Sequence, residues 1–286
     1  MPRDAPAFHI RTYGCQMNER DSEALACLLL RDGYRQTDSE EEADVLIFNT
    51  CSVRDRAERK AIGKIGLMQR LKRRKPGLKL AVIGCMAQNY GERLLEKLPH
   101  VDLVVGTDRL HELPALLDQL PAVGGGRVRA ETGDAVLGAL REHAPGQVTA
   151  YISVMRGCNQ FCTYCIVPYV RGREKSRPVA DIVREVEQVA AEGSGEIFLL
   201  GQNITAYGLA ELRAAGRSTR DVSPFADLLA AVNEVPEVSR IRFTSPHPRF
   251  MNQPFIEAVT GLPKVCEAFH IPLQSGSDRI LRDMHR

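Results

Sequence analysis

Three cysteines, Cys158, Cys162 and Cys165, stand within eight residues in the stretch MRGCNQFCTYCIVPYVRGRE, Met155 to Glu174. The gaps are three residues and then two, with no other cysteine or histidine close by. A structural zinc site closes four ligands, often as paired C-x2-C units, and this spacing does not supply them. An iron–sulfur cube held by three thiolates leaves one iron open to an exogenous ligand. That inference extends the four-cysteine ligation rule by the open-position logic of catalytic zinc. The spacing favours the cube, with zinc as the alternative.

A second set is spread over the first third of the chain. TYGC ends in Cys15, FNTC in Cys51 and VIGC in Cys85, each directly after an apolar run that reads as a strand. In an open parallel sheet the strand C-termini share one edge, where ligands bind. Neighbouring strands lie only about 4.8 Å apart, so cysteines just past them can converge on one metal centre. One such cysteine would read as a small buried hydrophobe; three at equivalent positions read as ligands. Cys27, on the apolar stripe of a helix beside Leu28, Leu29 and Leu30, reads as packing. Cys266, at the start of a strand, also reads as structural.

The elements that must carry these residues alternate strand and helix. Phe8–Gly14, Val45–Thr50, Lys79–Gly84 and Val101–Gly106 read as buried strands. Helical periodicity fills the segments between them, with a stop at Gly33. The fold class is therefore α/β, with an N-terminal open parallel domain over residues 1–120. Residues 121–147 contain three consecutive glycines and lose the periodicity, and read as a linker. A second βα series fills 148–286: strands at 148–155, 196–201, 239–244 and 266–273, with helices near 179–192, 225–235 and 253–260.

Lys and Arg total 38 against 36 Asp and Glu, so net charge does not announce a nucleic-acid partner. The basic stretches Arg70–Lys79 and Tyr169–Arg177 read from charge alone as solvated faces. No apolar run is long enough to span a membrane and no apolar signal core opens the chain, so a reducing cytoplasm is expected. There, eight cysteines point to metal or catalysis rather than disulfides.

At the C-x3-C-x2-C stretch, with the aromatic Tyr164 before its last cysteine, the sequence resembles the radical S-adenosylmethionine (SAM) superfamily. Together with TYGCQMNERDSE, FNTCSVRDRAERK, VIGCMAQ and RGCNQFCTYCIVPYVRGREKSRP, it resembles the methylthiotransferases from about His9 to Arg286. GCQMN, Gly14 to Asn18, is similar to the branch acting on tRNA N6-isopentenyladenosine next to the anticodon. The branch for a ribosomal-protein aspartate typically has Pro-Lys in place of Gln16 and Met17, and the threonylcarbamoyl-adenosine branch has Lys first.

The resemblance implies two [4Fe–4S] clusters: an auxiliary one on Cys15, Cys51 and Cys85, and a SAM-binding one on Cys158, Cys162 and Cys165. It implies SAM-derived radical chemistry at the unactivated C2–H of adenine and a methylthio group delivered there. SAM is expected across the C-terminal ends of a radical SAM barrel, near Tyr164, Gln202, Asn203, Gln274 and Ser275. Arg171, Arg173, Lys175 and Arg177, which follow the cysteine loop, and His247, set between prolines, are expected to meet substrate. His270 reads as a core histidine of the last strand. Implied partners are tRNA, a low-potential donor such as flavodoxin or ferredoxin, and iron–sulfur and sulfur supply proteins, with the protein a monomer. The family completes a six-unit barrel and adds an RNA-binding β domain. This chain stops after about four units, so its barrel is expected to be partial and the chain alone to fall short of turnover.

Overall fold

The computed structural model describes residues 5–121, 126–131 and 142–286. The chain divides into two compact units, Met1–Glu142 and His143–Arg286.

The first unit runs β1 (Ala7–Thr12), α1 (Gln16–Arg31), β2 (Arg35–Gln36), β3 (Val45–Thr50), α2 (Asp55–Arg74), β4 (Lys79–Gly84), α3 (Cys85–Tyr90), α4 (Arg93–Lys97), β5 (Leu103–Val105), α5 (Leu113–Asp118) and β6 (Arg127–Arg129). Its six strands are all parallel, in the order β2-β1-β3-β4-β5-β6. A sheet covered on both faces needs strands that are apolar throughout, and β3 is buried at every residue. Val45 and Ile47 pack with Phe8, Leu25 and Leu29 on one face. Leu46 and Phe48 pack with Ile65, Met68 and Leu71 on the other. The period of two in the strand thus meets a helix on each side.

The segment expected as a linker contributes β6, an edge strand paired to β5. Its Arg-Val-Arg pattern turns Val128 to the core while charge guards the outer edge. Within that segment, 122–125 and 132–141 lie outside the described residues. The basic run Arg70–Lys79 closes α2, where cations suit the helix dipole, and part of it is structural. Lys72 pairs with Asp102, and Lys75 Nζ pairs with Asp44 at 2.8 Å.

The second unit runs β7 (Thr149–Ser153), β8 (Met155–Arg156), α6 (Val167–Arg171), β9 (Lys175–Ser176), α7 (Val179–Ala191), β10 (Glu196–Leu200), α8 (Leu209–Ala214), α9 (Pro224–Asn233), β11 (Arg240–Phe243), α10 (Gln253–Gly261) and α11 (Asp278–Asp283). Three parallel strands in the order β11-β10-β7 form the sheet, and β8 and β9 form an antiparallel pair. Ile152, Ile197, Leu199 and Ile241 meet Val186 of α7 and Leu228 and Leu229 of α9 in one core.

The strand expected at 266–273 does not form. After α10 the chain meets β11 through the single Ile241–Val265 bridge. There the Ile241 N–H donates to the Lys264 carbonyl at 2.7 Å and the Cys266 N–H to the Ile241 carbonyl at 3.0 Å. Beyond it the apolar residues do not bury: Phe269 is 39% and Leu273 66% exposed, and Pro272 has no N–H for a ladder. His270 is consequently exposed rather than in a core. No helix among the described residues is long and apolar enough to cross a membrane.

Candidate functional site

The strand-end cysteines assemble as the alternating pattern requires, because β1, β3 and β4 are neighbours. Thr50 and Gly84 are register partners, so Cys51 and Cys85 leave the sheet side by side, both buried. Cys15 sits at the N-terminal cap of α1, the polarity an anionic ligand atom favours. The backbone before it passes against Cys51: a Cβ on Gly14 would stand 2.9 Å from the Cys51 Cβ and 2.4 Å from Asn18 Oδ1. Burial pushes the Cys51 thiol up, with Cys85 and Cys15 close enough to add to the shift.

A buried amide pair supports this edge. Asn18 Nδ2 donates to Asn49 Oδ1 at 2.8 Å and to the Thr50 carbonyl at 3.2 Å, while Asn49 Nδ2 donates to the Asn18 carbonyl at 2.8 Å. Asn18 Oδ1 in turn accepts from the Cys15 backbone N–H at 3.5 Å. These residues escape a search for ligand types, yet Asn49 carries a signal: it is an amide near the end of an otherwise apolar buried strand. Cys27 is half-buried on α1, its thiol pushed up by burial.

In the second unit the loop after β8 brings Cys158, Cys162 and Cys165 together. All three are free thiols, the first two buried. Burial pushes Cys158 up to about 11, and Cys165 and Cys162 add to the shift. The loop is held from several sides. Gly157 N–H donates to Gln202 Oε1 at 2.5 Å, and Cys158 N–H to the Gly172 carbonyl at 3.1 Å. Asn159 and Glu174 form a reciprocal clamp: Asn159 N–H to Glu174 Oε1 at 3.1 Å, and Glu174 N–H to Asn159 Oδ1 at 3.2 Å. Asn203 Nδ2 donates to the same Glu174 oxygen at 3.2 Å. Phe161 adopts φ 49°, a strained backbone of the kind found at functional loops.

Among the described residues, no group of three His, Cys, Asp or Glu side chains has the geometry that holds a single metal ion. Each cysteine set nonetheless lies within mutual electrostatic range. In a cubane each thiolate holds a different iron, so three cysteines leave one iron open. Three soft thiolate donors suit iron–sulfur chemistry.

The other expected contacts divide. Tyr164 is 50% exposed beside the cysteines. Gln202 and Asn203 lie at the loop after β10, as expected, but both bond to the cysteine loop's own support. Gln274 is exposed with φ 70°, and Ser275 Oγ accepts from Ser277 N–H at 3.1 Å within a turn.

Two of the four basic residues read as substrate contacts are corrected. Arg171 and Arg177 are 5% and 4% exposed, too buried to meet a phosphate backbone. Arg177 donates to the Ser153 carbonyl at 2.7 Å and to Glu185 Oε2 at 2.5 Å. Arg173 is exposed, its guanidinium 4.3 Å from the Phe161 ring centroid, and Lys175 is half-buried on β9. The residue types of Glu174, Asn159 and Thr205 do not mark them as supports, although Glu174 is a lone acid inside the basic run RGREKSR.

Two family models match the chain in turn: residues 7–106 match Uncharacterized protein family UPF0004 and residues 152–286 match the Radical SAM superfamily. Curated relatives carry the name tRNA-2-methylthio-N(6)-dimethylallyladenosine synthase. That of Opitutus terrae is 46% identical over 97% of this chain and 64% of its own length. Those of Akkermansia muciniphila and Dictyoglomus thermophilum are each 45% identical, over 98% of this chain and 64% and 62% of theirs. The chain thus spans under two thirds of the length of these relatives. Among solved structures, the radical S-adenosylmethionine methyltransferase TsrM from Kitasatospora setae shares the fold with TM-score 0.63 at 13% identity, over 97% of this chain and 61% of that one.

Proposed function

We propose that the chain is the two-cluster portion of a tRNA methylthiotransferase acting at C2 of N6-isopentenyladenosine next to the anticodon. The carrying observation is the pairing of two three-cysteine sets, one at three adjacent strand ends and one in the C-x3-C-x2-C loop. Relatives of 45–46% identity bearing the synthase name support the substrate.

Cys15, Cys51 and Cys85 hold an auxiliary [4Fe–4S] cluster, and Cys158, Cys162 and Cys165 hold the one that binds SAM. When bound, this second cluster with SAM supplies a carbon-centred radical able to take a hydrogen that no base removes at pH 7. The chain's own residues position and shield it. Glu174, Asn159, Asn203 and Gln202 fix the loop against the end of β10, and burial of Cys158 and Cys162 excludes water. Arg173, exposed beside the cysteine loop, and Lys175 offer cations to an RNA backbone, which adds affinity without sequence information. An unstacked loop base suits such a site. A flavodoxin-type or ferredoxin-type donor, iron–sulfur and sulfur supply proteins, and a cytoplasmic setting complete the reading.

The test is anaerobic incubation of the iron-reconstituted chain with SAM, a reductant and an anticodon stem-loop carrying N6-isopentenyladenosine. The expected product is 5′-deoxyadenosine, formed faster with the stem-loop present; an RNA heavier by a methylthio group in place of hydrogen would exceed the expectation that the chain alone falls short of turnover. Preference for a threonylcarbamoyl-adenosine stem-loop would move the chain to the other tRNA branch. A fully reconstituted chain that never cleaves SAM would contradict the reading.

A further inference from the structure

His247 follows β11 between Pro246 and Pro248, and it is 7% exposed. Its backbone N–H donates to Thr205 Oγ1 at 2.9 Å, and the same hydroxyl lies 3.2 Å from its carbonyl. The residue is therefore tied to the loop that follows β10, where Asn203 reaches the support of the cysteine loop. Its ring Nδ1 accepts the backbone N–H of Arg249 at 3.2 Å, capping the short turn Pro248–Phe250.

That cap fixes the tautomer. A backbone N–H can only donate, so Nδ1 is the bare nitrogen and the proton of the neutral ring sits on Nε2. Burial, reinforced by the Arg286 and Arg249 charges, pushes the ring's pKa down to about 4, so the ring is neutral at pH 7. Nε2 is buried and has no hydrogen-bond partner among the described residues. A buried donor left unpaired carries its full desolvation cost. The cap does not explain it, since Asn or Ser caps a turn without a second nitrogen.

We propose that the His247 Nε2–H is a ligand-binding donor that fixes an anionic oxygen, carboxylate or phosphate, at the ends of β10 and β11. Arg249 and Arg286, both within electrostatic range, favour a negative acceptor over a neutral one. The inference rests on the SAM-dependent RNA-modifying reading, which offers two sources of such an oxygen: the carboxylate of SAM and a phosphate of the RNA.

Two substitutions separate the ring's nitrogens. His247→Asn keeps an acceptor near Nδ1 and removes the donor at Nε2, whereas His247→Gln places an amide N–H near Nε2 and gives up the cap. Binding of S-adenosylhomocysteine and of an anticodon stem-loop to the iron-reconstituted chain is measured for each by equilibrium titration. His247→Asn is expected to weaken one probe at least about tenfold while leaving the other near wild type, and His247→Gln to recover most of the loss. The probe that weakens identifies the source. Wild-type binding of both probes by His247→Asn overturns the proposal. So do equal losses in both variants, or loss of iron and fold in both, because the ring is then structural. If the wild-type chain binds neither probe, the functional reading itself fails.

Discussion

Arg177→Ala is expected to destabilise the second unit by about 3–5 kcal/mol, the penalty for removing one partner of a buried ion pair. Arg177 and Glu185 are 4% and 5% exposed, and Glu185 Oε1 also meets His143 Nε2 at 2.8 Å. Removing the guanidinium takes a paired cation away from a buried carboxylate. It also removes the hydrogen bond to the Ser153 carbonyl at the end of β7. At roughly 2–4 °C per kcal/mol for a unit of this size, calorimetry should record a fall of about 10 °C. Arg173→Ala, only four residues distant, should leave the melting temperature within about 1–2 °C. Its guanidinium lies on the surface against Phe161. Equal effects of the two substitutions would return Arg177 to the substrate-contact role that its sequence position implies.

The second large effect falls on the cysteine loop. Gly157 adopts φ 79°, and a Cβ built on it would stand 2.1 Å from the Arg173 carbonyl oxygen. Left-handed backbone costs a non-glycine residue about 1–2 kcal/mol. The overlap is with backbone, so no side-chain rotation relieves it. The loop must move, and its movement breaks the Gly157–Gln202 and Cys158–Gly172 hydrogen bonds beside the first ligand. Gly157→Ala is therefore expected to lose most of the iron bound at Cys158, Cys162 and Cys165 while the strand-end set keeps its own. Iron analysis of the reconstituted variant reads this as a fall to about half. Full iron content would show that the loop geometry does not govern cluster binding.

Both predictions start from features that sequence patterns convey unevenly. Val45–Thr50 and Lys79–Gly84 were legible to the residue because a strand buried on both faces is apolar throughout and ends abruptly at its cysteine. The six candidate ligands were legible because chemistry restricts them to one residue type at fixed offsets. What makes each set a site was not legible. The Asn18–Asn49 pair joins residues 31 apart, and the Glu174–Asn203 bond joins residues 29 apart. Such partnerships exist only once strands have aligned. Arg177 shows the same limit in reverse, since one basic run places Arg173 outside and Arg177 inside, and charge pattern cannot separate them. The segment Cys266–Leu273 misled for another reason: its apolar residues resemble a strand, but pairing with β11 stops at Val265 and Pro272 cannot extend it.

The central claim is that two separate three-cysteine sets each hold an open-iron cluster. The most direct test is anaerobic iron and sulfide reconstitution, followed by metal analysis and electron paramagnetic resonance before and after SAM is added. The variants Cys15→Ala/Cys51→Ala/Cys85→Ala and Cys158→Ala/Cys162→Ala/Cys165→Ala run beside the unaltered chain. The account predicts about eight iron per chain, about four in each triple variant, and a SAM-induced spectral change that survives only where Cys158, Cys162 and Cys165 are intact. Stoichiometric zinc in either set, or a folded protein that assembles no cluster, would contradict it.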